Sequence, residues 1–151
     1  MKSSIATLAT MLASLNIAAA ANIPIKYVER GGSASLSYDP VYDNAASSLN
    51  IAACGSVLSH KYATFGDLPG FPHVGGALTI SGTGSAKCGT CYQLHFSGNG
   101  VDNTITVLGI DTAPAGFNIG LQAMNDLTGG QAEQLGRVQV TWTEVDVSEC
   151  S

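Results

Sequence analysis

Charged residues are scarce in this chain, and basic residues are the scarcest of them. Only 11% of the 151 residues are charged, with six Lys and Arg against eleven Asp and Glu, so the formal net charge is −5. Nucleic acids and anionic membranes bind proteins through basic patches, so neither is an expected partner. Because solubility then depends on uncharged polar residues and Gly, we expect some weak self-association or adsorption to interfaces.

Common catalytic and metal-binding motifs are also absent. The sequence contains neither G-x-S-x-G nor H-E-x-x-H, and its three His are scattered without the spacing of metal ligands. Residues 82–87 lack the third Gly of a dinucleotide-binding loop, so we interpret them as an ordinary loop. The sequence therefore predicts no cofactor and no metal site.

The main apolar run lies at the N-terminus. Residues 5–17 are mostly apolar, they follow a single Lys, and four Ala occupy positions 18–21. This order is typical of a secretory signal peptide, and the run is shorter than the ~20 apolar residues that span a membrane. We predict a signal peptide over 1–20, a flexible lead-in over 21–34 and one folded domain over 35–151. The product is expected outside the cell, with the cell wall as a candidate location.

Four Cys remain in the predicted mature chain: Cys54, Cys88, Cys91 and Cys150. An even number of Cys in a secreted protein predicts disulfides, and four Cys leave three pairings open. A redox function for the C-x-x-C at 88–91 is disfavoured, because no amphipathic helix follows it to lower the thiol pKa. A zinc site is disfavoured because no second Cys pair completes four ligands.

Short alternating segments between Gly- and Pro-rich turns predict strands at 36–38, 77–80, 90–96, 103–110 and 137–145. In the last of them, Val138, Val140 and Trp142 are expected to face the core. Helices are predicted over 45–53 and over 119–127. The second has Asn118 as its N-cap, Gly129 after its end, and an apolar face made of Ile119, Ala123, Met124 and Leu127. A further helical turn is predicted over 131–135. Short strands, few helices and eighteen Gly favour a small β-barrel over a parallel βαβ sheet.

Two carboxylates are the remaining catalytic candidates. Asp39 and Asp111 each end a predicted strand, and both strand ends could face one rim of a barrel. Hydrolysis of a glycosidic bond needs two carboxyl groups, one of them protonated as a general acid. An Asp at a strand end equally often caps a turn, and an acidic pair can also hold sugar hydroxyls without any chemistry.

A series of short motifs follows in a specific order along the chain. They read Leu-Ser-Tyr-Asp at 36–39, Phe-Pro-His-Val-Gly-Gly at 71–76, Cys-Gly-Thr-Cys-Tyr at 88–92, Ile-Asp-Thr-Ala-Pro-Ala-Gly-Phe-Asn-Ile at 110–119, Ala-Met-Asn-Asp-Leu-Thr-Gly-Gly-Gln-Ala at 123–132 and Leu-Gly-Arg-Val-Gln-Val at 135–140. Together with the terminal Cys150, this order resembles the cerato-platanin family over residues 35–150. Each motif is modest alone, but their combination is specific.

The resemblance implies a secreted fungal protein of mainly β structure, a six-stranded double-psi β-barrel with two or more short helices, related to the first domain of expansins. It also implies the disulfide pairings Cys54–Cys88 and Cys91–Cys150. Members of the family bind chitin or N-acetylglucosamine oligomers, loosen polysaccharide without hydrolysing it, adsorb at interfaces and elicit plant defence responses. For this chain the resemblance therefore implies a chitin-type oligosaccharide or cell-wall polysaccharide as ligand, a host plant receptor as a further candidate partner, and a part in virulence.

The carbohydrate-binding residues that the resemblance implies are Tyr38, Asp39, Asp111 and Asn118. Expansins and family 45 endoglucanases have His-Phe-Asp where this chain has Gly-Phe-Asn at 116–118, and that Asp is the general acid of the hydrolases. An amide cannot donate a proton near neutral pH, so we predict that the chain is not an enzyme. The alternatives are a weak glycan hydrolase that uses Asp39 and Asp111, and a hydrophobin-like protein that self-assembles at interfaces.

Two departures from the family pattern concern the expected groove. After the first Cys the family commonly has Ser-Asp-Gly and then Asn-Gly-Leu, whereas this chain continues as Gly-Ser-Val-Leu-Ser-His-Lys-Tyr over 55–62. This change removes polar loop residues and weakens the inference of sugar binding. The Trp that often follows the C-x-x-C is replaced by Tyr92, and we interpret Trp142, the sole Trp, as a core residue rather than a sugar-stacking platform.

Overall fold

Six strands of the computed structural model, which describes residues 31–151, form a closed barrel in the order β1–β5–β2–β4–β3–β6. The strands are β1 (Gly31–Tyr38), β2 (Val74–Ala77), β3 (Cys91–Gly98), β4 (Val101–Thr112), β5 (Gly116–Ile119) and β6 (Arg137–Val145). β1 pairs in parallel with β5 and β2 with β4, while the other four pairs are antiparallel. The predicted six-stranded double-psi β-barrel is confirmed. The predicted signal peptide and residues 21–30 of the predicted lead-in lie outside the described residues.

Seven short helices lie between or after these strands in residues 31–151. Three are α-helices, α1 (Gly55–Leu58), α2 (Leu121–Thr128) and α3 (Ala132–Leu135), so the predicted turn over 131–135 is confirmed. Four are 3-10 helices, at Pro40–Asp43, Leu49–Ile51, Phe65–Asp67 and Val147–Cys150. None of the helices in this part of the chain is long and apolar enough to cross a membrane.

The first strand begins at Gly31, earlier than the predicted strand over 36–38. The prediction of a flexible segment is therefore wrong for residues 31–34, which pair with β6. A Cβ on Gly31 would lie 2.5 Å from the carbonyl oxygen of Trp142. The glycine that looked like part of a linker thus permits a close approach between two strands.

The predicted strand over 77–80 is also displaced, because β2 spans Val74–Ala77. Gly75 and Gly76 instead lie inside the strand, and a Cβ on Gly75 would lie 2.3 Å from the carbonyl oxygen of Asn118. By contrast, β6 has the predicted bounds. Its alternation is confirmed by the inward residues, which are all buried: Val138, Val140 and Trp142.

The predicted helix over 45–53 is wrong. This stretch forms turns and the 3-10 helix Leu49–Ile51, whose start is capped by the Ser48 side chain. Leu49 and Ala52 are buried but Ile51 is 60% exposed, so the apolar positions do not form one helical face. The first α-helix begins only at Gly55.

The start of α2 also differs from the prediction. The helix begins at Leu121, and Asn118 is not its cap but a residue of β5. The carboxylate of Asp43 caps the helix instead, accepting hydrogen bonds from the backbone N–H groups of Leu121 (2.7 Å) and Gln122 (3.0 Å). Gly129 ends the helix with φ of +65°, as predicted. Of the residues predicted on its apolar face, Ala123, Met124 and Leu127 are buried, whereas Ile119 belongs to β5.

Two apolar clusters hold the fold together. Inside the barrel, the rings of Tyr92, Phe117 and Trp142 contact one another edge to face, with centroids 5.4–6.0 Å apart. Trp142 is only 8% exposed, so its predicted core position is confirmed. The second cluster, which includes Tyr42 and Phe65, packs residues of the 40–70 segment against β2 and β4.

Both predicted disulfides are present. Cys54–Cys88 ties the 40–70 segment to the loop before β3, and Cys91–Cys150 ties β3 to the C-terminal 3-10 helix. The bridges span sequence separations of 34 and 59 residues. Loops of this length correspond to roughly 2–4 kcal/mol of stability per bridge in the chain-entropy picture.

Candidate functional site

A row of polar residues crosses three adjacent strands at one end of the barrel. Arg137 of β6 pairs with Ser37 of β1, and Ser37 pairs with Asn118 of β5. Residues opposite each other in a sheet point to the same face. Their sequence neighbours point the other way and are buried: Leu36, Phe117 and Val138. The row Arg137–Ser37–Asn118 therefore lies on the outer surface.

This row forms one side of a shallow groove of about 250 Å³. The opposite side is the loop that joins β4 to β5, residues 112–116. Small-molecule sites usually occupy ~300–1,000 Å³, so this groove would cover only part of an oligosaccharide. Phe117 is the one aromatic residue among those that line it, and it is only 2% exposed. Polar contacts, rather than ring stacking, would therefore dominate binding here.

The hydrogen bonds within the groove leave donors available to a ligand. Ser37 Oγ donates to Asn118 Oδ1 over 3.0 Å, and no residue in 31–151 accepts a hydrogen bond from the Asn118 amide nitrogen, which can donate to a ligand. Arg137 Nη1 donates to Ser35 Oγ over 2.5 Å. Amide, hydroxyl and guanidinium groups in one row match the hydroxyl and acetamide oxygens of a sugar.

A close strand contact places Asn118 in this row. Gly116 has φ of +144°, and a Cβ on it would lie 1.9 Å from the carbonyl oxygen of Ser35. Only Gly permits this approach of β5 to β1. The parallel register that follows sets Asn118 beside Ser37.

Asp111 lies farther along the same row, because Gly76 of β2 pairs with both Asn118 and Asp111. Its carboxylate accepts three hydrogen bonds within the fold. Oδ1 accepts from the backbone N–H groups of Ala53 (2.9 Å) and Thr112 (2.8 Å), and Oδ2 accepts from the Tyr42 hydroxyl (3.1 Å). Asp111 therefore fastens the 40–53 segment to β4.

Tyr42 connects the two candidate carboxylates. Burial, the charge of Asp111, the hydrogen bond to Asp111 and the charge of Asp39 together raise the pKa of Tyr42 well above its ordinary value of 10. The charges of both carboxylates thus disfavour ionisation of one buried phenol. Asp39 itself accepts from the backbone N–H of Val41 over 2.9 Å and caps the 3-10 helix Pro40–Asp43.

The four residues predicted from the resemblance are therefore not equivalent. Asn118 lines the groove, whereas Asp39 and Asp111 hold local structure and Tyr38 packs, half-buried, against the barrel core. Sequence reasoning missed Ser37 and Arg137. The alternation of β6 was recognised, and it places Arg137 outward, but its proximity to Asn118 depends on the barrel closure.

A family model described as cerato-platanin matches residues 34–151. The chain belongs to the cerato-platanin family. It is 49% identical over 120 residues to the allergen Asp f 15 of Aspergillus fumigatus. The aligned region covers 78% of this chain and 76% of the allergen.

Solved structures of cerato-platanins are similar to the fold described above. The crystal structure of cerato-platanin 1 from M. perniciosa matches with a TM-score of 0.76 and 46% identity, over 78% of this chain and 98% of the other. A solution structure titled as that of the fungal elicitor cerato-platanin matches with a TM-score of 0.67 and 37% identity, over 77% and 95% of the two chains.

This cerato-platanin differs from the expected family pattern in the segment after Cys54. That segment forms the short helix α1, with the apolar side chain of Val57 42% exposed. Cys54, which precedes the helix, is fixed by its disulfide and by donating its backbone N–H to the carbonyl oxygen of Ile110. The replaced polar loop does not contribute to the groove at Arg137–Ser37–Asn118, which is lined by other segments.

Other polar pairs of this cerato-platanin lie outside the groove. Lys87 Nζ is 2.6 Å from Glu144 Oε2, while two His–Asp pairs, His73–Asp126 (2.8 Å) and His95–Asp102 (2.6 Å), lie on the surface. Within residues 31–151, no group of three or more His, Cys, Asp or Glu side chains is arranged to hold a metal ion.

Proposed function

We propose that this cerato-platanin is a secreted, cell-wall-associated protein that binds chitin-type N-acetylglucosamine oligomers without hydrolysing them. The observation that carries the proposal is the outward row Arg137–Ser37–Asn118, which offers hydrogen-bond donors and a hydroxyl along an open groove. Elicitation of plant defence and expansin-like loosening of wall polysaccharide belong to the same proposal. Elicitation is supported by the similarity to cerato-platanin, which is described as a fungal elicitor.

The contacts of the carboxylates support a non-catalytic function. A glycosidase needs one carboxyl group that donates a proton to the leaving oxygen and a second that acts as nucleophile or base. Asp111 accepts hydrogen bonds from three donors of the fold and is not among the residues that line the groove. Asp39 caps a helix, and the groove itself holds the amide of Asn118.

Two disulfides support secretion, because such bridges persist in oxidising compartments. The predicted signal peptide points to the same location.

Replacing Asn118 by Ala is expected to weaken the binding of chitotetraose by about threefold to tenfold, since one or two hydrogen bonds are lost. Isothermal titration calorimetry measures the change. Asn50→Ala is the matched control, because Asn50 is exposed on the 3-10 helix Leu49–Ile51 and away from the groove lining. The proposal is wrong if both variants bind equally, or if the wild-type protein releases reducing sugar from chitotetraose.

A second candidate function is adsorption at interfaces by a hydrophobin-like mechanism. Its support is a group of apolar side chains that are exposed in the segment between β1 and β2: Val41, Ile51 and Val57. This activity would not depend on the groove, so both functions can coexist in one molecule.

A further inference from the structure

We infer that the groove prefers oligosaccharides that carry a single carboxylate, and that this acidic group is seated at Arg137. The inference rests on the proposed function, because it names the ligand class for the same groove. Its chemical basis is the position of a guanidinium group at one end of an otherwise neutral polar row.

Arg137 is unusual among the few basic residues of this chain. Residues 31–151 contain two others, Lys61 and Lys87. Lys87 forms an ion pair with Glu144, and Lys61 Nζ lies over the Tyr62 ring, 5.0 Å from its centroid. The acidic chain thus places its one described Arg in the wall of a groove.

The Arg137 guanidinium is held in place and has unused donors. Its Nη1 donates to Ser35 Oγ, and none of the ion pairs among the described residues involves Arg137. The planar guanidinium carries five N–H donors and binds a carboxylate through two parallel hydrogen bonds. The contact with Ser35 reduces the side-chain entropy that such binding would cost.

The rest of the row argues against a polyanion. Ser37 and Asn118 are neutral. Beyond Asn118 the row continues through Gly76, which has no side chain, to Asp111, which carries a carboxylate. The whole chain has a net charge of −5, which repels a polymer charged at every sugar. A neutral oligosaccharide with one uronic acid avoids this repulsion and places its charge at the Arg137 end. The row would then also fix the direction in which the ligand lies.

The test compares four tetrasaccharide-sized probes by calorimetry at low salt. They are an aldotetraouronic acid (xylotriose bearing one methylglucuronic acid), neutral xylotetraose, tetragalacturonic acid and chitotetraose. We expect the aldotetraouronic acid to bind about threefold to tenfold more tightly than xylotetraose, as one exposed charge-assisted contact would provide. This ratio should fall toward one at high salt, because the contact is screened.

Substitutions then assign the effect to Arg137. In Arg137→Gln the ratio between the affinities for the charged probe and for xylotetraose should fall to about one, and any loss of a guanidinium contact to neutral sugar should weaken both probes alike. Arg137→Lys should keep part of the preference, since it keeps the charge but loses the paired hydrogen bonds. Lys61→Gln removes the same charge elsewhere on the surface and should leave the preference intact.

The outcomes separate this inference from the proposed function. Equal binding of the charged and neutral xylose probes overturns the inference, and so does tightest binding of tetragalacturonic acid or a preference that survives Arg137→Gln. If chitotetraose binds in any of these cases, the proposed function stands. If the Arg137-dependent preference is found while chitotetraose does not bind, the inference stands and the chitin ligand is wrong.

Discussion

Gly116→Ala is expected to lower the free energy of unfolding by at least about 3 kcal/mol, because the new methyl group would collide with the backbone of β1. The Cβ would lie 1.9 Å from the carbonyl oxygen of Ser35, and φ of +144° is a conformation that L side chains rarely adopt. Neither the strand nor the carbonyl can move without breaking the β1–β5 pairing. Equilibrium urea unfolding measures the loss.

Gly82→Ala is the matched control for this prediction. Gly82 has nearly the same φ, +141°, but a Cβ there would have no neighbour within 4 Å. Gly82→Ala should therefore lower the free energy of unfolding only through backbone strain, by about 1–2 kcal/mol. Equal losses in the two variants would contradict the close approach of β5 to β1 and, with it, the position of Asn118 beside Ser37.

Asp111→Ala is expected to lower the free energy of unfolding by about 2–4 kcal/mol. The substitution removes the acceptor of three hydrogen bonds and leaves the buried Tyr42 hydroxyl without its partner. Asp39→Ala is the comparison, because Asp39 caps one 3-10 helix through a single hydrogen bond from Val41. This substitution should lower the free energy of unfolding by only about 1 kcal/mol. Urea unfolding of both variants gives the ratio. Losses of the same size would show that Asp111 does not fasten the 40–53 segment and would reopen a catalytic role for it.

Periodic patterns in the sequence predicted the parts of the fold that are regular. The alternation of residues 137–145 identified β6 and its buried face, and the apolar spacing around Met124 identified α2. These patterns are local consequences of strand and helix geometry, so one sequence is enough to read them.

The glycine-rich strands were misread for a physical reason. Gly31, Gly75 and Gly76 looked like linker or turn residues, but in two of them a Cβ would lie within 2.5 Å of a neighbouring strand. A strand that needs Gly for close packing carries no alternating pattern and resembles a turn. The helix cap was misassigned because its acceptor, Asp43, is about 80 residues away in sequence.

The candidate site was predictable only in part. The resemblance identified Asn118, whereas Ser37 and Arg137 were missed because their contacts join residues that are distant in sequence. Ser37 bonds to a residue 81 positions away, and Arg137 to one 102 positions away. Such contacts follow from barrel closure and register, which a single sequence does not encode locally.

A titration of the ¹⁵N-labelled protein with chitotetraose, followed in its amide NMR spectrum, tests the central claim most directly. The account predicts chemical-shift changes confined to Ser37, to residues 112–118 and to Arg137, and no signals of shorter sugars over the course of the experiment. Shifts centred on Gln93, His95 and Thr141, which line a separate pocket on β3 and β6, would place the binding site elsewhere, and the appearance of cleaved sugar would show catalysis. Either of these two results would contradict a non-catalytic groove at the row Arg137–Ser37–Asn118.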